Sequence, residues 1–201
     1  MRSLSPVLAA ILTLLASSAA DAADCAHDRT ALLALDLQTF DKTLQKGWRV
    51  IGDVEGCEAA GAALIADYRR IHAAALTPRD DRGLAWHEGQ LRAMDGDYAA
   101  AVPLFALQQA DPIAANSIYA DATVAFLRRD LAALQAARAR LAALPPPKGF
   151  EVGAAEYQAK TGQTLTWPTN LNLVDGLIAC FDKPYKQAYT FACRPRGKSV
   201  S

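Results

Sequence analysis

The chain has 201 residues, 21 Lys+Arg against 21 Asp+Glu, and just over half of its residues are apolar. That balance suits one alanine-rich helical domain and excludes collagen-like, disordered and polybasic classes. Zero net charge with no basic block leaves no nucleic-acid footprint, so no nucleic-acid partner is expected.

Residues 1–22 read as a signal peptide. Arg2 supplies the positive start, Val7 to Ala16 is too short an apolar run for the roughly 20 residues that span a bilayer, and Ala20-Asp21-Ala22 is a small-x-small cleavage site. Cys25 raises the question of a lipid anchor, but Asp24 stands where that route needs a small residue. No later apolar run is long enough to span a membrane, so the mature chain is expected to be soluble, and cleavage of the signal peptide leaves it in the periplasm or secreted. Cys25, Cys57, Cys180 and Cys193 remain, and an even count in an exported chain implies disulfides. Three connectivities exist. The expected one is Cys25–Cys57 and Cys180–Cys193, because each pair is near in sequence and caps one end. With no CxxC spacing and scattered histidines, neither a metal site nor a cofactor is expected.

From residue 23 onward the elements are helical. Leu33, Leu37, Phe40 and Leu44 form one apolar stripe and predict a first helix from Asp28 or Thr30 to Lys46, closed by Gly47. Trp48, Val50 and Ile51 fall in the connection. A second helix is predicted from Glu55 or Cys57 to Ala75, with Ala60, Leu64, Tyr68, Ile71 and Ala75 on its core face and Pro78 ending the unit. A third runs from Asp81 to Met94. Asp97 caps a fourth, Tyr98 to Ala110, which Pro103 bends. The fifth spans Ala114 to Arg128. The sixth follows the cap Asp130 to Leu144, with Leu131, Leu134, Arg138 and Leu141 inward, and Pro145-Pro146-Pro147 stops it. Beyond it lie a short helix around Ala154–Lys160, an irregular stretch to Asn170, a helix from Leu171 to Phe181, and a last helix capped by Asp182. This divides the chain into residues 23–80 (an N-terminal helix pair), 81–147 (repeat units) and 148–201 (a C-terminal capping segment).

A register runs through the middle. Trp86 and Tyr119, Asp97 and Asp130, and Pro112 and Pro145 are each separated by 33 residues. One helix–turn–helix unit therefore repeats, close to the ~34-residue period of tetratricopeptide arrays. The stretch Leu84 to Gln90, Gly96-Asp97-Tyr98 through Phe105, and Asp111-Pro112 resembles one tetratricopeptide repeat. Gly89 and Ala101 stand at its small contact positions and Pro112 at its terminating proline. Trp86 comes one residue late, and Glu88 replaces the expected leucine. Trp86-His87-Glu88-Gly89-Gln90, Asp121 to Asp130 and Val174 to Leu177 are also similar to exported bacterial proteins of unknown function. The resemblance implies an all-α stack of two to three antiparallel hairpins with disulfide-capped ends, and it is silent on chemistry.

In that geometry Trp86, Gln90, Tyr119 and Thr123 face the concave side, where aromatic and amide groups suit a peptide or a partner helix. The alternative is that Trp86 and Tyr119 pack between helices. His87 shares a face with Leu84, Leu91 and Met94. Its neighbour Glu88 points about 100° away, so Asp121 on the next unit is the expected carboxylate partner, against the alternative of a merely structural histidine. Asp121 could instead pair with Arg92 or another arginine. Convergence of His87, Asp121 and Asp175 would make a polar pocket. Arg128-Arg129 read as helix-end charges, and Arg194, Arg196 and Lys198 as a basic tail too sparse for a membrane. No nucleophile elbow, phosphate-binding loop or zinc motif occurs, so no catalytic residue is assigned. The expected function is a protein- or peptide-binding module of the cell envelope. The alternatives are an inhibitor or immunity-type protein for one partner, and an enzyme with a pocket centred on His87 and Asp121.

Overall fold

A computed structural model describes residues 24–162 and 164–194. The expected leader and the tail residues Arg196 and Lys198 lie outside that range. Among the described residues every regular element is helical.

The first helix is not continuous. α1 covers Arg29–Leu33, capped by the Asp28 carboxylate, which accepts from the Ala31 amide. A separate one-turn π-helix follows at Gln38–Lys42. The break comes from Asp36: its carboxylate accepts from both the backbone amide and the hydroxyl of Thr39, at 2.9 and 2.8 Å, and this local bonding competes with a through-going helix. Leu44, expected on the buried stripe, is 77% exposed. Gly47 then reverses the chain at φ +59°, where a Cβ would sit 1.9 Å from the Phe40 carbonyl oxygen. The reversal carries Trp48 back beside Phe40 and starts α2, Arg49–Gly52, where an irregular connection was expected.

α3 spans Glu58–Ile71 and stops short of Ala75; Ile71, expected inward, is half exposed. Pro78 does not close that unit. It opens α4, Pro78–Met94, at the one place a helix tolerates the missing amide, with the Thr77 hydroxyl accepting from the Asp80 amide. α5 (Tyr98–Gln108) contains Pro103, and α7 (Leu131–Ala142) follows α6 (Ala114–Leu127). Asp97 and Asp130 cap α5 and α7 through the Ala100 and Ala133 amides. Leu131, expected inward, is 38% exposed, because the first residue after a cap lies at the rim. α8 (Phe150–Thr161) is longer than predicted and buries none of its residues. α9 covers Leu171–Ala179. Asp182 does not cap the last helix: Pro184 holds the cap position of the four-residue α10, Tyr185–Ala188, and Cys193 closes a separate 3-10 turn, Phe191–Cys193. The disulfides are Cys25–Cys57 and Cys180–Cys193.

Consecutive helices from α3 to α7 pack on one another; α9 lies against α6 and α7, and α10 against α4 and α9. Two apolar cores result. One gathers Phe40, Trp48, Ile65, Tyr68, Leu84 and Leu91. The other gathers Phe105, Tyr119, Phe126, Leu134, Leu177 and Tyr185. α4 serves both. Its Gly89 lets α5 approach until a Cβ would meet Phe105 and Leu104 at 3.2–3.3 Å.

Candidate functional site

The site is organised by a carboxylate that the repeat register does not single out. Asp41 is 1% exposed. A buried carboxylate is costly unless its oxygens are occupied. Here the Trp48 indole Nε1–H and the His87 Nδ1–H both donate to Oδ1, at 3.0 and 2.8 Å, and the Lys42 ammonium lies 2.6 Å from Oδ2. Burial acts to raise the Asp41 pKa. The hydrogen bonds from His87, Lys42 and Trp48 outweigh it and hold the carboxyl well below its ordinary range. An ionised Asp41 accepts only, so its bond fixes the proton of neutral His87 on Nδ1. Nε2 is then left with a lone pair, has no partner among the described residues, and is open to solvent.

His87 walls a cavity of about 190 Å³ with Gly83, Trp86, Gln108, Asn116, Tyr119 and Asn170. Gly83, Gln108 and Asn116 also line an adjoining hollow of about 470 Å³ that includes Lys42 and Arg79. The two form one cleft along α4, the end of α5 and the start of α6. A Cβ at Gly83 would lie 3.7 Å from the Lys42 Nζ, which places that ammonium at the shared wall. Asn170 reaches the cleft from the turn before α9 at φ +66°, a left-handed conformation that asparagine tolerates better than most side chains. The side-chain amides of Asn116 and Asn170 have no partner among the described residues. The Gln108 amide donates to Asp111.

Several expected groupings do not form. Asp121 does not reach His87 or Arg92; it pairs with Arg140 at 2.7 Å and accepts from Gln109. Asp175 pairs with Arg138 at 2.8 Å. His87, Asp121 and Asp175 therefore do not converge: the two aspartates turn to arginines of α7, while His87 turns to the first core. Glu88 is held by Arg69 and Arg92, each at 2.8 Å, and Arg69 also binds Asp81. Thr123 is buried, its hydroxyl donating to the Tyr119 carbonyl one turn back, so it faces no groove. The Gln90 amide donates to the Tyr189 hydroxyl at 2.9 Å. Trp86 packs against Phe105 and Tyr119, at ring distances of 4.6 and 5.1 Å, yet both Trp86 and Tyr119 still wall the cavity.

The chain's own C-terminal segment covers much of the face expected to take a partner. Tyr185 is fully buried near Phe105 and Phe126, its amide donates to the Tyr98 hydroxyl, and Lys186 bridges Glu55 and Glu58. Burial raises the phenol pKa of both Tyr119 and Tyr185 well above the usual value, so both remain neutral.

Sequence reasoning missed Asp41, Trp48, Gln108, Asn116 and Asn170. One signal pointed to Asp41. A tryptophan placed to be buried needs an acceptor for its indole N–H, and Asp41 is the acidic residue flanking Phe40 on the same stripe. Among the described residues no group of His, Cys, Asp and Glu is placed to hold a metal ion, and no helix is long and apolar enough to cross a membrane. Comparison with known proteins gives no matching family model, no matching curated protein and no matching solved structure.

Proposed function

We propose that the protein is an exported, tetratricopeptide-like binding module whose cleft takes a short peptide segment of a cell-envelope partner. The observation that carries this reading is the pair of uncommitted amides, Asn116 and Asn170, set beside the partly buried Trp86 in one small cleft. An amide side chain offers a donor and an acceptor, which match those of a peptide backbone, while an aromatic wall receives a side chain. Support for the repeat comes from the 33-residue register and from the close α4–α5 approach at Gly89. Two disulfides, with no membrane-crossing helix among the described residues, fit an oxidising compartment outside the cytoplasm. Coverage by Tyr185 and Tyr189 restricts the contact to the cleft rather than a long groove.

Panning a displayed heptapeptide library against the oxidised protein tests the reading. A consensus peptide should emerge, and its affinity should fall at least about tenfold in Asn116→Ala and Asn170→Gly, the loss of one or two hydrogen bonds. Glycine accepts the backbone of position 170, so that variant removes the amide without disturbing the turn. No enrichment, or equal binding by both variants, would reject a peptide cleft.

A further inference from the structure

The Asp41–His87 pair has a use that binding alone does not require. We propose that His87 is the general base of a hydrolytic site for small uncharged carboxylic esters, with Asp41 and Trp48 as its positioning residues. This rests on the cleft being open to a ligand, as above, and adds a reaction to it.

A histidine that only fills space needs no fixed tautomer. This one is fixed by a carboxylate that is itself anchored by an indole N–H from a different element, at 3.0 Å. The arrangement leaves Nε2 as the unengaged base, open to solvent on a ring about one quarter exposed. The buried carboxylate behind it holds the ring so that Nε2 is the nitrogen presented. Donors for a developing oxyanion border the same cleft: the unpaired Asn116 amide, and the Lys42 ammonium, which Asp41 leaves with further N–H groups. Trp86 and Tyr119 supply an apolar wall for the acyl or alcohol portion. The charged groups around the imidazole are Asp41 and Lys42 on its own side. On the far side, Asp53, Glu55, Glu58 and Lys186 line a separate hollow with His87 and the phenol Tyr189.

The step balances with water as co-reactant. The water oxygen bonds to the ester carbonyl carbon while its proton passes to His87 Nε2. The carbon–oxygen bond to the alcohol then breaks, its electron pair goes to the leaving oxygen, and the Nε2 proton follows it. Carboxylic acid and alcohol leave, and His87 is returned neutral.

The test uses the intact oxidised protein and p-nitrophenyl acetate. Hydrolysis should fall about 100-fold in His87→Gln, the range for loss of a general base. Asp41→Asn should lower the rate and abolish the Nδ1–H signature of His87 in nitrogen-15 spectra, an effect that a purely structural role would not link to rate. His87→Gln replaces a partly exposed ring, so its fold can be checked by circular dichroism before the assay. A His87→Gln rate equal to wild type overturns the proposal, as does a wild-type rate no greater than that of equimolar imidazole. Because peptide capture reads the amides and hydrolysis reads the imidazole, either result can fail without the other.

Discussion

The two cores of this molecule are built by opposite means. The N-terminal core admits charge: Asp41, next to Phe40, is buried and bonded by Trp48, and an Arg69–Glu88–Arg92 chain of ion pairs joins α3 to α4. The second core is apolar and aromatic, and its polar atoms are phenols and one threonine that bonds its own helix. Substitution should therefore fail differently in each, by emptied volume in one and by orphaned charge in the other. The helix common to both, α4, presents His87 from the polar core to the cleft beside Trp86 of the aromatic one.

The largest effect is expected where the second core is emptied. Phe105→Ala removes a fully buried ring between Trp86 and Tyr185 and should cost about 3–5 kcal/mol in urea unfolding. The disulfides divide the same way. Cys25–Cys57 spans 32 residues and Cys180–Cys193 spans 13, so paired serine substitutions should cost about 4 and about 3 kcal/mol respectively. Equal losses would mean that the unfolded chain is already compact around the longer loop. In the polar core, Arg69→Leu leaves Glu88, 4% exposed, with Arg92 alone and should cost about 2–3 kcal/mol. The Arg69→Leu/Glu88→Leu double variant should lose less than the sum of the two single changes.

Acid should act on one core and not the other. Asp41 has a folded pKa below its ordinary value of 3.8, so its contribution is complete above that value and is lost as pH falls through the folded pKa. Unfolding free energy should drop below about pH 4, and Asp41→Asn should flatten that limb while lowering stability at neutral pH. A limb unchanged by Asp41→Asn would assign it to other carboxylates. The smallest effect is expected outside both cores. Arg140→Ala breaks an exposed pair with Asp121 and should change stability by no more than about 0.5 kcal/mol.

What was legible in the sequence follows from how local its causes are. The starts of α5 and α7 were written in Asp97 and Asp130, each one residue before its helix and bonded three residues on. The first helix breaks where its stripe predicts continuity, because Leu33–Leu37–Phe40–Leu44 reports apolar spacing and not the competition Asp36 offers the backbone. Pro78 is ambiguous in the sequence because proline both ends and begins helices, and the Thr77 cap decides. The site was half legible. Trp86, His87 and Tyr119 stood out as aromatic or basic residues at repeat positions. The partner of His87 lies 46 residues away across a chain reversal that depends on Gly47, and periodicity carries no information about which element will fold back onto which.

The bonds from Gln90 to Tyr189 and from Lys186 to Glu58 join residues 99 and 128 positions apart. Contacts so distant along the chain form late, since the loop entropy must be overcome before they can stabilise anything. A chain whose residues 185–189 have not yet returned leaves Phe105 and Phe126 without their Tyr185 neighbour, aromatic surface of the kind that aggregates. A hydrophobic dye should bind early in refolding and be expelled as Tyr185 seats, on a slower timescale than helix formation.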